Sequence, residues 1–448
     1  MKRTLFHQLQ SWKVAPRRKP LILDGARQTG KTWLLREFGK REFRATHYLN
    51  FEADPRVCAI FSGDLRPRTI LPLIELHTGA PIDRARDVIV LDEIQTCPRA
   101  LTALKYCLEE QPEMAVCAAG SLIGLAGSEE SWPVGKVTTL RLHPFSFAEF
   151  LEAVNPPLFS YYLGFVEAPA PLPEVVHQAL TDTLWLYFFV GGMPEAVARY
   201  IDSGVLDATT VGDIGGIHAD LVTGYRSDFA KHAGTVNAHH LSRVFDAVPA
   251  QLSRSVEGGS SRFTFKDVMP TARRFRDLAG PIDWLSVTGL VIPSMIVEDP
   301  GPPLAAHRRE SMFKLYLLDV GLLHHILGVP AASIVSQSWG SYKGYVAENY
   351  AAVQLRSSGI RELYTWAGRA SEIEFLVPAA EGAVPLEIKS GSRARRARSL
   401  SVYREKYAPP IAVTARAANY HREGGVIHLP LYAIGALPGM VGLTGLET

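Results

Sequence analysis

The chain has 448 residues, 47% of them hydrophobic and 21% charged, which suits a soluble globular protein of two to four domains and excludes a disordered or fibrous one. A net charge of +2 argues neither for nor against nucleic acid, so only local patches carry that information. The four cysteines (Cys58, Cys97, Cys107, Cys117) form no Cys-x-x-Cys pair and read as reduced, buried thiols of a cytoplasmic protein.

The opening residues MKRTLFHQLQSWK lack the apolar core of a signal peptide and place Leu5, Leu9 and Trp12 at helical spacing. A basic run, Arg17-Arg18-Lys19, reads as a solvated lead-in to a buried strand. From Pro20 to Thr32 the chain reads PLILDGARQTGKT, an apolar run followed by a turn that matches G-x-x-x-x-G-K-[ST] at every fixed position. Successive backbone N–H groups of such a loop point inward to cradle phosphates, and the next helix sets its N-terminus against the same charge. Gly25, Ala26, Arg27, Gln28, Thr29, Gly30, Lys31 and Thr32 are therefore the expected ATP contacts. Lys31 is expected to reach the β- and γ-phosphates and the Thr32 hydroxyl to ligate Mg²⁺. Trp33 to Phe38 reads as the helix that follows.

A strand pattern at Ala45–Phe51 and a helical one around Leu71–His77 precede Asp87-Val88-Ile89-Val90-Leu91-Asp92-Glu93. Four apolar residues ending in Asp-Glu predict a parallel strand buried on both faces, whose C-terminal end is where ligands bind. Asp92 is the expected holder of the Mg²⁺ shell, and Glu93 the expected base that orients and deprotonates the attacking water. Two more strands follow, Met114–Ala119 ending at Gly120-Ser121, and Val137–Leu142 leading into HPFSFAEF.

The blocks GARQTGKT, LDEIQ, AAGS, HPFSFAEF and Gly191-Gly192-Met193-Pro194-Glu195 stand in this order along the chain. In this the chain resembles, over essentially its whole length, the prokaryotic AAA-type ATPases whose C-terminal half carries a nuclease-like domain of unassigned function. The resemblance implies an ATPase core related to AAA+ and STAND-type switch ATPases. It places Ser121 where a γ-phosphate-sensing residue stands, beside the plainer reading of a strand-to-loop serine. It also implies the possibility of a homo-oligomer, since AAA+ relatives commonly form rings while STAND relatives can rest as monomers. One departure is Gly135-Lys136, where members commonly have Gly-Arg; a lysine supplies charge without the planar fork of an arginine finger.

Pro156-Pro157 and the Pro/Ala run 168–173 punctuate a helical lid, with Gly191-Gly192-Met193-Pro194 as its internal turn. In the resembled group this turn lies near the nucleotide, which makes Arg199 a conceivable phosphate sensor and otherwise a surface arginine. From Asn237, apolar residues Leu241, Val244, Phe245, Val248 and Leu252 share a helical face. Helices at Phe263–Val268 and Thr271–Leu290, then a short hairpin completed by Lys314–Leu318, predict a winged helix. Arg273, Arg274 and Arg276 would sit on its recognition helix, facing either a major groove or solvent.

After Gly340 the pattern becomes helix, three strands, helix, strand. The third strand ends in Glu387-Ile388-Lys389, whose Glu and Lys share a face, with Glu374 one hairpin earlier and Glu348 on the preceding helix. This set resembles the PD-(D/E)xK nuclease core. The resemblance implies that Glu348, Glu374 and Glu387 hold Mg²⁺ and that Lys389 steadies the attacking water. Glu374 stands where that core usually has Asp. The following stretch carries Arg393, Arg395, Arg396, Arg398, Arg404 and Lys406 against only Glu405, a basic stripe suited to a DNA or RNA backbone.

The expected architecture is α/β: a P-loop ATPase with an AAA+-like parallel sheet (1–150), a helical lid (151–235), a winged-helix-like segment (236–334) and a restriction-endonuclease-like domain (335–448). The expected function is Mg²⁺-dependent ATP hydrolysis that drives the nuclease-like domain. The alternative is a STAND-like regulatory switch whose C-terminal domain only binds protein or nucleic acid. The longest apolar run, Leu184–Val190, is too short to span a bilayer, so no membrane partner is expected.

Overall fold

Two apolar runs, β3 (Val88–Asp92) and β4 (Ala115–Ala119), are buried along their whole length, which places them at the centre of a sheet covered on both faces. The computed structural model describes residues 1–121, 133–256, 262–335, 343–368, 371–379, 382–389 and 398–442. The chain divides into two compact units, Met1–His143 and Pro144–Thr448.

In the first unit, β1 (Leu21–Asp24), β2 (Thr46–Asn50) and β5 (Thr138–Arg141) join the central pair in the order β2-β3-β4-β1-β5, all parallel. Alternate residues of the strands enter opposite cores. Ile22, Ile89, Leu91, Val116 and Ala118 face one of them, with residues of α3 (Pro67–Thr78) and α4 (Pro98–Glu110). Leu21, Leu23, Val88, Val90 and Cys117 face the other, with residues of α1 (Leu5–Val14) and α2 (Lys31–Glu42). The buried thiols of Cys107 and Cys117 are pushed up by burial, so they stay protonated.

Just before β3, the Asp87 carboxylate is closed from solvent and accepts from Arg44 Nε (2.8 Å) and Nη2 (2.6 Å) and from the Asp83 N–H (2.8 Å). The Arg44 contact, against the opposing effect of burial, holds the Asp87 carboxyl well below the usual carboxylate range. A depressed folded value means this contribution is present above about pH 4 and is lost as pH falls. Thermal unfolding of wild type and Asp87→Asn is expected to show a stability gap that is full at neutral pH and begins to narrow as pH is lowered below about 4. A gap independent of pH would rule out this carboxylate as the titrating group.

The second unit opens with α5 (Phe147–Val154), α6 (Pro156–Glu167), α7 (Glu174–Val190), α8 (Pro194–Ser203) and the long α9 (Ala208–Val256). Ser146 caps α5 with a full capping box, in which Glu149 reaches back to the Ser146 N–H. Then come α10 (Ala279–Val287), the antiparallel pair β6 (Val291–Val297) and β7 (Arg308–Leu317), and α11 (Val320–Leu327), α12 (Ala331–Val335) and α13 (Lys343–Ser357). The unit ends with β8 (Leu363–Ala367), β9 (Glu372–Ala379), β10 (Gly382–Lys389), α14 (Arg398–Tyr407), β11 (Ala412–Arg416), β12 (His421–Glu423), β13 (Val426–Pro430) and α15 (Leu437–Met440). The strands form one mixed sheet of order β12-β13-β11-β10-β9-β8-β6-β7.

This arrangement departs from the expected segmentation in two places. Helix α9 runs through residue 235, and Leu241, Val244, Phe245, Val248 and Leu252 are buried along that one helix. Strand β6 pairs in parallel with β8, so one sheet takes strands from both sides of the expected boundary at residue 334. The separate winged helix is also corrected. Leu290–Val297 is not a hairpin of its own, because β6 is one continuous strand whose partner is β7. The expected recognition helix is a short 3-10 turn, Phe275–Asp277, followed by α10. Arg273 and Arg274 precede that turn and donate their backbone N–H groups to Asp277 Oδ2 (2.9 Å each), so they present no helical face.

The Gly191-Gly192 turn after α7 is set by packing within this unit. Gly192 N–H donates to Asp319 Oδ2 (2.6 Å), and the Gly192 carbonyl accepts from Phe145 N–H (2.7 Å). A Cβ at Gly192 would lie 2.3 Å from the Phe145 carbonyl oxygen, and one at Gly191, where φ is +73°, 2.4 Å from Asp319 Oδ1. Asp319 is fully buried, caps α11 through the Leu322 N–H (3.0 Å), and has its carboxyl raised to about 6 by burial. Among the described residues no helix is long and apolar enough to cross a membrane.

Candidate functional site

At the carboxyl end of β1 the chain turns through Gly25 to Gly30 and enters α2. Gly25 has φ +149°, and a Cβ there would lie 2.3 Å from the Leu142 carbonyl oxygen, so the turn needs glycine. Gly30, at φ +93°, precedes Lys31 as the N-cap of α2. Gln28 is also left-handed, at φ +65°. Lys31 is buried, and its Nζ donates to the carbonyls of Gly25 (2.9 Å) and Ala26 (2.8 Å), closing the loop on itself. Burial lowers the Lys31 ammonium to about 8 against the raising effect of Glu93, Asp24 and Asp92. Thr29 Oγ1 donates to Ala26 O (2.8 Å), and the Thr29 carbonyl accepts from Arg3 Nη1 (3.0 Å).

Asp92 ends β3 and is buried beside this loop. Its Oδ2 accepts from Thr32 Oγ1 (2.7 Å) and from the Tyr48 hydroxyl (2.6 Å), and its Oδ1 from the Glu93 N–H (3.1 Å). Burial and the Asp92 contact push the Tyr48 phenol up to about 12, so it remains a donor. Asn50 Nδ2 donates to the Tyr48 oxygen (3.1 Å) from the next alternate position of β2. Glu93 takes left-handed backbone (φ +53°), strained for a residue with a Cβ, and its Oε2 accepts from Gln95 Nε2 (2.6 Å). Arg27 Nε donates to Ser121 Oγ at 3.4 Å.

Arg27, Gln28, Gly30, Lys31, Thr32 and Glu93 border one cavity of about 820 Å³, with Tyr48 on its wall. The fold thus gathers most of the sequence-predicted residues of this site. Tyr48 and Asn50 were not foreseen, because their role depends on the β2–β3 register that sets Asn50 beside Asp92. Lys136, the residue at the expected arginine position, pairs with Glu109 (3.2 Å). The donor set fits magnesium: a hydroxyl and a carboxylate oxygen 2.7 Å apart are hard ligands, and Mg²⁺ commonly takes one or two carboxylates with phosphate oxygens and water.

In the second unit, Arg199 forms an ion pair with Asp213 (2.7 Å). The residues expected to form the nuclease-like site do come near one another, with an unforeseen cation among them. Lys314 of β7 is buried, lies 3.2 Å from Glu348 Oε2 and forms a second ion pair with Glu372. Tyr316 shares its strand face and donates to Glu348 Oε2 (3.4 Å). Glu374 Oε2 accepts from the Ile388 N–H (3.1 Å), and Lys389 pairs with Glu387 Oε1 (2.8 Å). Burial, then the Glu348 charge, raise the Glu374 carboxyl to about 8 against Lys389. Burial opposes the Lys314 charge, but Glu348, Tyr316 and Glu372 raise it well above the usual lysine value.

Among the described residues no group of three or more His, Cys, Asp or Glu is placed to hold a metal ion, so Glu348, Glu374 and Glu387 are not gathered as the expected metal set. Lys314, Tyr316 and Glu372 were missed; the one available signal was the i, i+2 spacing of Lys314 and Tyr316 on a strand. Of the basic stripe, Arg393, Arg395 and Arg396 lie outside the described residues, while Arg398, Arg404 and Lys406 are on α14.

Residues 17–151 match the family model of the AAA domain, and residues 181–333 match that of a domain of unknown function, DUF8612. The first unit therefore carries an AAA-type P-loop domain. No curated protein matches the chain. Among solved structures, the Aeropyrum pernix ORC1 protein in complex with DNA is 12% identical, with 73% of this chain and 91% of that one covered and a TM-score of 0.28. AMPPCP-bound DnaA from Aquifex aeolicus is 12% identical over 62% and 85% of the two chains, with a TM-score of 0.25. A STAND protein with a tetratricopeptide repeat sensor from Pyrococcus horikoshii is 12% identical over 80% and 45%, with a TM-score of 0.26.

Proposed function

We propose that this protein binds ATP with magnesium at the Gly25–Thr32 loop and hydrolyses it. The observation that carries the reading is the 2.7 Å contact between Thr32 Oγ1 and Asp92 Oδ2 at the edge of a cavity that Lys31 and Glu93 also line. The loop and the N-terminus of α2 would hold the phosphates, with the Lys31 ammonium leaving its carbonyl partners for the β- and γ-oxygens. Thr32 and Asp92 would hold magnesium, which when bound supplies charge neutralisation of the phosphates. Glu93 would orient a water and take its proton, and Gln95 would keep the carboxylate in place.

Glu93→Gln tests this directly. Nucleotide affinity is expected to stay within about twofold while turnover falls by about 10²–10⁴-fold. Unchanged turnover would remove Glu93 from the role of base.

On this reading the second unit is the effector that ATP turnover sets, and α14 with Lys389 offers a nucleic-acid backbone its positive charge. Turnover measured with and without single- and double-stranded DNA and RNA tests the coupling, and stimulation names the ligand. A second reading, a regulatory switch whose second unit binds without cleaving, is favoured by the Lys314 ammonium among the carboxylates. Cleavage of DNA or RNA by the purified protein with Mg²⁺ or Mn²⁺ would overturn that second reading.

A further inference from the structure

Six acidic or basic side chains from β7, α13 and β9–β10 meet inside the second unit, and their charges are arranged differently from a metal site. Lys314 enters from β7, the strand at the far edge of the sheet, and is buried on every side. Its Nζ reaches Glu348 of α13 and Glu372 of β9 together, which joins a helix to a strand three places away in the sheet. Between them Ser294 of β6 and Thr365 of β8 are fully buried and hydrogen-bonded to each other (2.8 Å), and Thr365 Oγ1 donates to the Glu374 carbonyl (2.9 Å). A polar row thus crosses β7, β6, β8 and β9. Lys389 neutralises Glu387 Oε1 at its far end, while Glu387 Oε2 is buried with no hydrogen-bond partner.

We infer that Lys314 is an internal counter-ion, its ammonium bridging Glu348 and Glu372 where a nuclease-like centre would hold a divalent cation. Buried carboxylates need a compensating cation close by, and an ammonium with three donors meets that need as a metal does. Two cations in so small a space repel, so the lysine and a metal exclude each other. The inference rests on the second reading of the effector unit and is independent of ATP turnover.

The experiment uses the full chain without nucleotide, with Mn²⁺ and Ca²⁺ as probes, read by calorimetric titration and thermal unfolding. Lys314→Met keeps the length of the side chain and removes its charge. In chelator it is expected to unfold roughly 5–10 °C below wild type, because it leaves buried carboxylates unpaired. Millimolar Ca²⁺ or Mn²⁺ is expected to restore most of that loss, with one more ion bound per chain than in wild type. Folded Lys314→Met protein that gains neither an ion nor stability would overturn the inference. If that variant does not fold, wild type and Glu387→Gln decide the matter. Equal Mn²⁺ stoichiometry in the two supports the internal counter-ion, and an ion lost with Glu387→Gln shows that the cluster takes a metal despite Lys314. Turnover that survives or fails in Lys31→Ala leaves these readouts untouched, so failure of the ATPase reading is separately visible.

Discussion

Lys31→Ala is expected to lower ATP turnover by about 10²–10³-fold or more and to weaken nucleotide binding at the same time. The reason is the position of the side chain. Lys31 is the first residue of α2, buried, with its ammonium over two carbonyls of the loop that precedes it. Burial alone would favour the neutral amine, and the nearby Glu93, Asp24 and Asp92 charges hold part of the positive form. A triphosphate brings more negative charge to the same point and would draw the lysine away from Gly25 and Ala26. Alanine supplies neither the donor nor the charge. It also removes the Lys31 donor from both carbonyls, leaving Ala26 O to Thr29 Oγ1, so the loop itself loosens. The measurement is paired: binding of a fluorescent nucleotide and release of phosphate, wild type against variant, with circular dichroism to show that the first unit is folded. Folded Lys31→Ala that turns over ATP at the wild-type rate would place the reaction elsewhere.

Asp319→Ala is expected to destabilise the second unit by about 3 kcal/mol or more. Its carboxyl accepts N–H groups from two separate segments, Gly192 after α7 and Leu322 in the first turn of α11. Both donors are buried, and alanine would leave them without that acceptor and open a gap against Gly191. Asp319→Asn separates acceptor from charge, because its single oxygen can serve one of the two N–H groups while its amide faces the other as a second donor. The expected order of thermal stability is therefore wild type above Asn, and Asn at or above Ala. An Ala variant as stable as wild type would mean that the glycine turn is held by Phe145 alone.

The first unit was largely legible because its chemistry is local in the chain. The turn from Gly25 to Thr32 shows itself by the spacing of its own residues, and the apolar run before Asp92 reads as a strand buried on both faces. What was not legible there is Tyr48. A tyrosine in an alternating strand is ordinary, and only the pairing of β2 with β3 turns it toward the carboxylate that Thr32 also contacts.

In the second unit some local patterns match the folded elements, while their assembly differs. Helices α7, α8 and α13 and the run β8–β9–β10 lie where their periodicities put them. The winged helix failed because Leu290–Val297 looks like two short strands when Pro293 and Ser294 are taken as a turn. In the folded chain both sit inside β6, where Ser294 is buried against Thr365, 71 residues later in the chain. The GGMPE block reads as a marker in sequence. Its physical reason, a fit against Phe145 and Asp319, joins three distant segments of the chain.

The sequence by itself determined that the first unit has a phosphate loop and, later, a strand ending at Asp92 with Glu93 next, because each signature is set by spacing within a dozen residues and the two stand in the right order. Tertiary structure alone decided what surrounds Glu348, Glu374 and Glu387. An i, i+2 pattern says which face of a strand a carboxylate shares, and nothing about what reaches that face from another strand. Lys314 reaches it from the edge strand β7, three places from β9, and a cation brought there by folding changes what the same carboxylates can bind.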